Sequence, residues 1–328
     1  MRVKRIDLKV GYLCNNHCRH CAIGDNRRDL IEDGLPTELT LEQIKALIDD
    51  YSQKYDVVTL TGGEISIRKD CIDIIKYASN KFNAVEIQTN GRNWLNIKDL
   101  SQIFELRNLT FTIAIHADDP KIHDSVTCVP HSWEQTTRTI KALSKTFPVI
   151  GKFVITNENK HTIVNTVHLC NQLGCQRIDF AFVHGVGDAR LNLKFVTPMY
   201  SELKQSINEA IRIGRQYGMI ITTESFPFCM IDSDNYQAIS EIELVKIDGD
   251  CKPVLEQSYN WNTVRISQNK AHSSKCSQCI VQNNCEGCWK EYLTLYDDFV
   301  PLHPNKNPLP KMDSHRLIGI LRVLDQCR

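Results

Sequence analysis

The sequence predicts an α/β protein: a parallel sheet built from six strand–helix units, followed by a small cysteine-rich region. Three observations carry this. Apolar strand-like runs alternate with amphipathic helical runs over the first two-thirds of the 328 residues. Capping sequences mark several helix starts. After about Pro227 the alternation stops, and four cysteines fall between Cys276 and Cys288. Repeated strand–helix units imply parallel strands joined by right-handed crossovers. Six units are too few for a closed eight-stranded barrel, so an open partial barrel or a doubly wound sheet fits. In either, chemistry belongs at the carboxyl ends of the strands.

Taken in order, Ile6 to Leu13 reads as the first strand. Thr40-Leu-Glu-Gln43 is a capping box, and behind it Leu41, Ile44, Leu47, Ile48 and Tyr51 share one helical face. Val57 to Leu60 is a strand ending in Thr61-Gly62-Gly63, and Asp70 to Phe82 is helical. Ala84 to Thr89 is a strand ending in Asn90-Gly91, and Asn96 caps a short helix to Leu106. Leu109 to Ile115 is the fourth strand. Ser132-Trp-Glu-Gln135 is a second capping box, opening a helix to Phe147. Val149 to Thr156 and Arg177 to Val183 are strands flanking a helix from His161 to Leu173. Thr197, with Pro198 at the first helical position, opens a helix to Tyr217. Met219 to Thr223 reads as a further half unit. Asp232 to Lys275 is polar and irregular, with strand-like pieces around Ile242 to Ile247. Pro301 to Pro310 reads as an extended linker. Asp313 to Gln326 is an amphipathic helix with Leu317, Leu321 and Leu324 on one face. The expected organisation is a barrel over 1–228, a cysteine-rich domain over 229–300, and linker plus helix over 301–328.

Lys+Arg and Asp+Glu are both 39, so nothing marks a nucleic-acid-binding protein. No run of 18 apolar residues indicates a membrane helix. Met1-Arg2-Val3-Lys4-Arg5 leads into a charged strand, not a signal peptide. A cytoplasmic placement is expected. The 14 cysteines are therefore not read as disulfides. Cys71, Cys128, Cys170 and Cys175 stand apart in apolar surroundings and read as small buried hydrophobes.

Cys14-Asn-Asn-His-Cys18-Arg-His20-Cys21 follows the first strand. Three thiolates so close in sequence can wrap one metal centre from a single loop. A ferredoxin-type cluster takes four cysteines, and the next one, Cys71, lies beyond a predicted helix. Three ligands leave one iron open, as catalytic zinc sites with three protein ligands keep an open position. A structural zinc site completed by His17 or His20 is the competing reading.

This C-x₃-C-x₂-C run, placed after the first strand of an α/β repeat, resembles the signature of the radical S-adenosylmethionine (radical SAM) superfamily. The resemblance implies a partial (β/α)₆ barrel and a [4Fe-4S] cluster on Cys14, Cys18 and Cys21. It also implies S-adenosylmethionine at the open iron and His20 beside the adenine. Thr61-Gly62-Gly63-Glu64 resembles the superfamily's motif for the methionine amino group. Paired glycines allow close backbone approach, and a carboxylate accepts hydrogen bonds from an ammonium. Thr89 and Asn90 sit in a loop that lies near the cofactor in the superfamily. Ala114 stands where many relatives carry a serine for the ribose. Lys152 and Asn157 are then candidate ribose or carboxylate partners, and Arg190 a candidate carboxylate partner; the competing reading of each is a solvated strand end. His116, Asp118, His123 and Asp124 cluster after the fourth strand, either to meet substrate or as turn and cap residues around Asp119-Pro120.

Cys276-x₂-Cys279-x₅-Cys285-x₂-Cys288 is too compact for a zinc ribbon. It is similar to the auxiliary-cluster motif of SPASM and twitch domains, whose usual last spacing is x₃. That departure favours Cys229 as fourth ligand beside Cys276, Cys279 and Cys285, with Cys288 as the alternative. Cys251 and Cys327 are also available. A second [4Fe-4S] cluster is the expectation, and zinc the competing reading. The resemblance further implies reduced flavodoxin or ferredoxin as electron donor. It implies reductive cleavage to methionine and a 5′-deoxyadenosyl radical, then hydrogen abstraction from substrate. A peptide or protein side chain (crosslinked, epimerised or oxidised) is the leading substrate. Dehydrogenation or rearrangement of a sugar- or nucleoside-like small molecule is the alternative. A non-catalytic iron–sulfur electron carrier is a third reading, disfavoured because a carrier needs no cofactor pocket. Many peptide-modifying relatives carry an N-terminal leader-binding domain of roughly eighty residues. The first strand here begins almost at Met1, so leader recognition is expected to need a separate protein, or there is no leader.

Overall fold

A computed structural model describes residues 3–244 and 247–302. The linker, the amphipathic helix and Cys327 expected at the C-terminus lie outside the described residues. Seven strands run side by side in chain order: β1 (Val3–Gly11), β2 (Val57–Gly62), β3 (Ala84–Thr89), β4 (Leu109–Ala114), β5 (Val149–Ile155), β6 (Arg177–Phe182) and β7 (Ile220–Glu224). Every neighbouring pair is parallel. β8 (Ile247–Lys252) adds a further parallel strand on the free edge of β1, and β9 (Tyr259–Asn260) closes that side antiparallel to β8. β7 and β9 are the two edges, so the sheet is an open barrel.

The expected half unit forms as β7, and the sheet gains two strands, β8 and β9, on the β1 side. The barrel sheet also crosses the expected boundary at 228/229, because β8 belongs to it. The Asp-Gly-Asp of β8 hid that strand, since these residues are depleted in strands and carry little periodic signal. What places it is β1, whose second edge would otherwise be an unpaired row of backbone groups.

Helices cover the outside: α1 (Gly24–Glu32), α2 (Leu41–Ser52), α3 (Cys71–Ser79), α4 (Pro120–Thr127), α5 (Ser132–Leu143), α6 (Ile163–Leu173), the one-turn α7 (Asp188–Leu191) and α8 (Leu193–Val196), and α9 (Tyr200–Gln216). The Thr40/Gln43 capping box forms as expected, with Gln43 N–H donating to Thr40 Oγ1 at 3.2 Å. The one expected at Ser132 does not. His131, at φ 63°, precedes the helix, and Ser132 Oγ donates instead to Asp124. α9 starts at Tyr200, after the expected Thr197-Pro198, with Glu202 reaching back to Met199 N–H. The segment expected as a helix to Leu106 forms two 3₁₀ turns, Trp94–Asn96 and Leu100–Ile103.

Alternation along each strand sorts two faces. On β1, Ile6, Leu8 and Val10 are buried in the core beneath the helices, while Arg5, Asp7 and Lys9 line the barrel interior. That interior is a cavity of about 510 Å³ lined by both charged and apolar side chains, a volume suited to a small ligand or an inserted side chain. The cysteine-rich region forms a small antiparallel pair, β10 (Lys270–Ala271) with β11 (Cys288–Trp289). It packs on the barrel through Trp289 Nε1–H, which donates to the Phe182 carbonyl, and through Tyr292 OH, which accepts from Tyr200 N–H. No helix among the described residues is long and apolar enough to cross a membrane.

Candidate active site

The loop after β1 carries Cys14, Cys18 and Cys21, and the loops after five successive strands grip it. Gly63 N–H donates to Gly11 O and Glu64 N–H to Leu13 O, both at 2.8 Å. Asn90 Nδ2 donates to Asn15 Oδ1 at 2.7 Å. Arg92 donates to Asn15 O and to Asn16 Oδ1. His17 N–H donates to Thr127 O at 3.0 Å, Arg19 pairs with Glu158 at 3.0 Å, and Asp188 N–H donates to Cys21 O at 2.8 Å. Burial pushes the Cys18 thiol well up, and its neighbours Cys21 and Cys14 add to this. The three half-buried thiols are thus neighbours, and they become thiolates only when a metal takes the proton's place. Cys14 Sγ also faces two donors, Asn16 N–H at 3.4 Å and Asn90 Nδ2 at 3.7 Å. Cys128 departs from expectation. It is half-buried at a left-handed helix end, φ 56°, and near enough to Cys18 to raise its pKa.

The Gly-Gly-Glu segment is placed differently from its sequence rationale. A Cβ on Gly62 would lie 2.1 Å from Gly11 O, and one on Gly63 2.0 Å from Leu13 O. The glycines thus admit the cysteine loop's own backbone, not only a ligand. The Glu64 carboxylate is buried and accepts from Ser66 N–H at 3.0 Å, Thr89 Oγ1 at 2.6 Å and Asn90 N–H at 2.6 Å. It aims Asn90 at Cys14 and holds the β3 loop. Gly63→Ala should therefore displace the loop, since no backbone relaxes by more than 1 Å without losing its contacts. Reconstituted iron should fall to at most about half of wild type, read by iron and sulfide analysis; full loading would show that the loop tolerates the methyl group.

Other expected residues divide. Burial lowers His20 to about 4, so its ring is neutral; it meets His116 edge-on at 4.9 Å. Thr61 Oγ1 donates to Gln88 at 2.9 Å. Lys152 points into the lumen and pairs with Glu224 at 2.6 Å, and this ammonium holds the Glu224 carboxyl down at about 2. Asn157 Nδ2 donates to the Phe195 and Thr197 carbonyls. Lys152 and Asn157 thus both have protein partners, on β7 and on the segment before α9 respectively. Arg190 is exposed, 3.8 Å from Asp25. His123 Nδ1 accepts from His116 N–H, and Asp124 accepts from His131 N–H, Trp133 N–H and Ser132 Oγ. Those two are turn and cap residues; Asp118 Oδ1 is buried without a hydrogen bond among the described residues.

A second thiol set forms beside the barrel. Cys229, in the turn after β7, is pushed up to about 12 by burial and by Cys285, Cys276 and Cys279. Cys288 is buried in the core near Tyr200 and Tyr292, and its thiol donates to Ala271 O; Cys276 and Cys285 also lie close enough to help burial push it up. Cys251 sits on β8 among barrel residues. Among the described residues no three Cys, His, Asp or Glu close on one ion-sized point.

The open parallel barrel, with a half-buried three-thiol loop at the carboxyl ends of its strands, defines an α/β barrel enzyme built around a cysteine-held reactive centre. The family model described as the Radical SAM superfamily matches residues 8–170, and the chain belongs to that superfamily. The chain is 27% identical over 165 residues to an AdoMet-dependent heme synthase of Oleidesulfovibrio alaskensis, covering 49% of this chain and 40% of that protein. It is 26% identical over 200 residues to the sporulation killing factor maturation protein SkfB of Bacillus subtilis, covering 60% and 47%. The matched region spans less than half the length of these two relatives. Its fold is similar to the crystal structures of Streptococcus suis SuiB bound to S-adenosylmethionine and bound to precursor peptide SuiA. Both have TM-score 0.63 and 14% identity over 88% of this chain, and cover 74% and 72% of those chains.

Superfamily membership implies a [4Fe-4S] cluster and S-adenosylmethionine. The first loop fits such a cluster: three half-buried, mutually neighbouring thiols, with N–H donors on Cys14 sulfur of the kind that tune a cluster. Several residues here escaped sequence reasoning. Arg92, Gly187, where a Cβ would lie 2.3 Å from Cys21 O, and Arg68, which donates to the Val10 and Leu39 carbonyls, carry no motif. Gly187 alone had a cue, a glycine shortly after a strand end.

Proposed function

We propose that this radical SAM enzyme abstracts a hydrogen atom from a peptide or protein side chain and uses a second iron–sulfur centre on Cys229, Cys276, Cys279 and Cys285. The observation that carries it is the convergence of those four thiols from segments 47 residues or more apart, beside a lumen large enough for an inserted side chain. The fold likeness to SuiB and the relation to SkfB support a peptide substrate. When bound, the cofactor pair would supply a 5′-deoxyadenosyl radical. The chain's part is to hold and shield it. Cys14, Cys18 and Cys21 would ligate the cluster, with Asn90 and Asn16 N–H groups on the Cys14 sulfur. Neutral His20 would flank the adenine, and Thr61, Gly62, Gly63 and Thr89 would shape the methionine end. The lumen would orient the substrate and exclude water. A reduced flavodoxin or ferredoxin in a reducing, cytoplasmic compartment would be the donor.

The relation to a heme synthase favours a second reading, oxidation or rearrangement of a small molecule. Two assays separate the readings. Anaerobic protein with dithionite and S-adenosylmethionine should release 5′-deoxyadenosine. Co-expression with short reading frames beside the gene should yield a peptide of altered mass; unaltered peptides, with 5′-deoxyadenosine stimulated by a small metabolite, would select the second reading.

A further inference from the structure

The lumen wall contains a histidine that the radical chemistry above does not use. His184 follows β6 and lines the cavity. Its ring stacks on Trp289 of β11, centroids 3.9 Å apart and planes at 14°, and Lys270 lies on the same indole at 4.2 Å. Nε2 is 3.7 Å from Glu291 Oε2. Both atoms are buried without a hydrogen bond among the described residues. Gly185 makes room for the stem of this side chain, since a Cβ there would lie 2.8 Å from Glu291 Cβ.

An imidazole nitrogen facing a carboxylate across so short a gap is favourable only as N–H, because two lone pairs would repel. The proton then sits on Nε2, and Nδ1 keeps its lone pair. Nδ1 has no protein partner among the described residues, and it is the ring nitrogen left for the lumen. We propose that His184, oriented by Glu291 and clamped by Trp289, is the general base that takes a proton from the substrate. The proposal rests on the radical SAM reading of the site.

The step balances as follows. Hydrogen-atom abstraction leaves a carbon radical on the substrate. Closure to an oxidised or crosslinked product breaks one further N–H, O–H or C–H bond of the substrate. Its proton goes to Nδ1, giving an imidazolium whose Nε2–H faces Glu291. The bonding pair stays on the substrate to make the new bond with the radical electron. The one surplus electron leaves to an oxidised iron–sulfur centre, the class of acceptor the Cys229 set would hold. Epimerisation, which returns a hydrogen atom to the same carbon, needs no such base, so the site selects oxidation or crosslinking. The ring is prepared for the role. Burial lowers it to about 4, with Lys270 of β10 and Lys290 beyond β11 acting the same way and Glu224 of β7 opposing. It is neutral at pH 7.

Two measurements test this on the anaerobic holoenzyme. Diethylpyrocarbonate labelling at pH 7, mapped by mass spectrometry, should modify His184 in wild type. An unlabelled His184 would show that no nitrogen is open to the lumen and overturns the proposal. With a peptide found modified in the co-expression assay as substrate, His184→Gln should lower product formed per 5′-deoxyadenosine released by about 100-fold. Glu291→Gln should lower it less. A ratio within threefold of wild type in His184→Gln overturns the proposal. Wild-type protein that releases no 5′-deoxyadenosine would instead overturn the radical reading beneath it.

Discussion

Cys18→Ala should abolish 5′-deoxyadenosine formation and remove about four of about eight irons from the reconstituted protein. The reasoning is local. Cys18 lies deep in the loop, and its strongest thiol neighbours are Cys21 and Cys14. Two remaining thiols cannot hold a cubane that already leaves one iron without a protein ligand. Cys128 stands close by, but it is held at the end of α4 with its thiol toward Ser125 O, so it does not replace Cys18. The four-thiol set draws on β7 and the C-terminal region, so its iron should persist. Iron and sulfide counts with chromatography of the dithionite reaction check both parts. 5′-Deoxyadenosine formed at the wild-type rate would sink the assignment of the loop. About four irons plus zinc in wild type would remove the second cluster.

The second large effect separates two cysteines of one motif. Cys279→Ser should cost about four irons and lower the thermal midpoint, because a centre that ties Cys229 to Cys276–Cys285 contributes its binding energy to folding. Cys288→Ser should keep all the iron. Its thiol is buried in the core and donates to Ala271 O, so the cost is that of a poorly satisfied buried hydroxyl, about 1–2 kcal/mol. Equal iron loss in both variants would mean that Cys288 is a ligand and that its side chain turns when the cluster forms.

These two experiments probe features of different legibility. The Cys18 site was legible because its parts lie within eight residues, Cys14 to Cys21, after a strand whose apolar alternation is plain. The barrel was legible for the same reason: periods of 2 and 3.6 are local signals. The Glu64 hydrogen bonds were not, because their donors Thr89 and Asn90 sit at the end of the next strand.

By itself, the sequence determined the parallel α/β class, the position of the strand ends and the three-thiol loop, because each follows from chain connectivity over a few residues. Tertiary structure alone decided the rest. It seated β8 beside β1, placed Cys128 near Cys18, joined Cys229 to its three partners while sending Cys288 into the core, paired Lys152 with Glu224, and set His184 against Trp289 and Glu291. Each of those contacts joins different crossovers, and the register of a sheet is set by burial across the whole layer, which no short stretch of sequence contains.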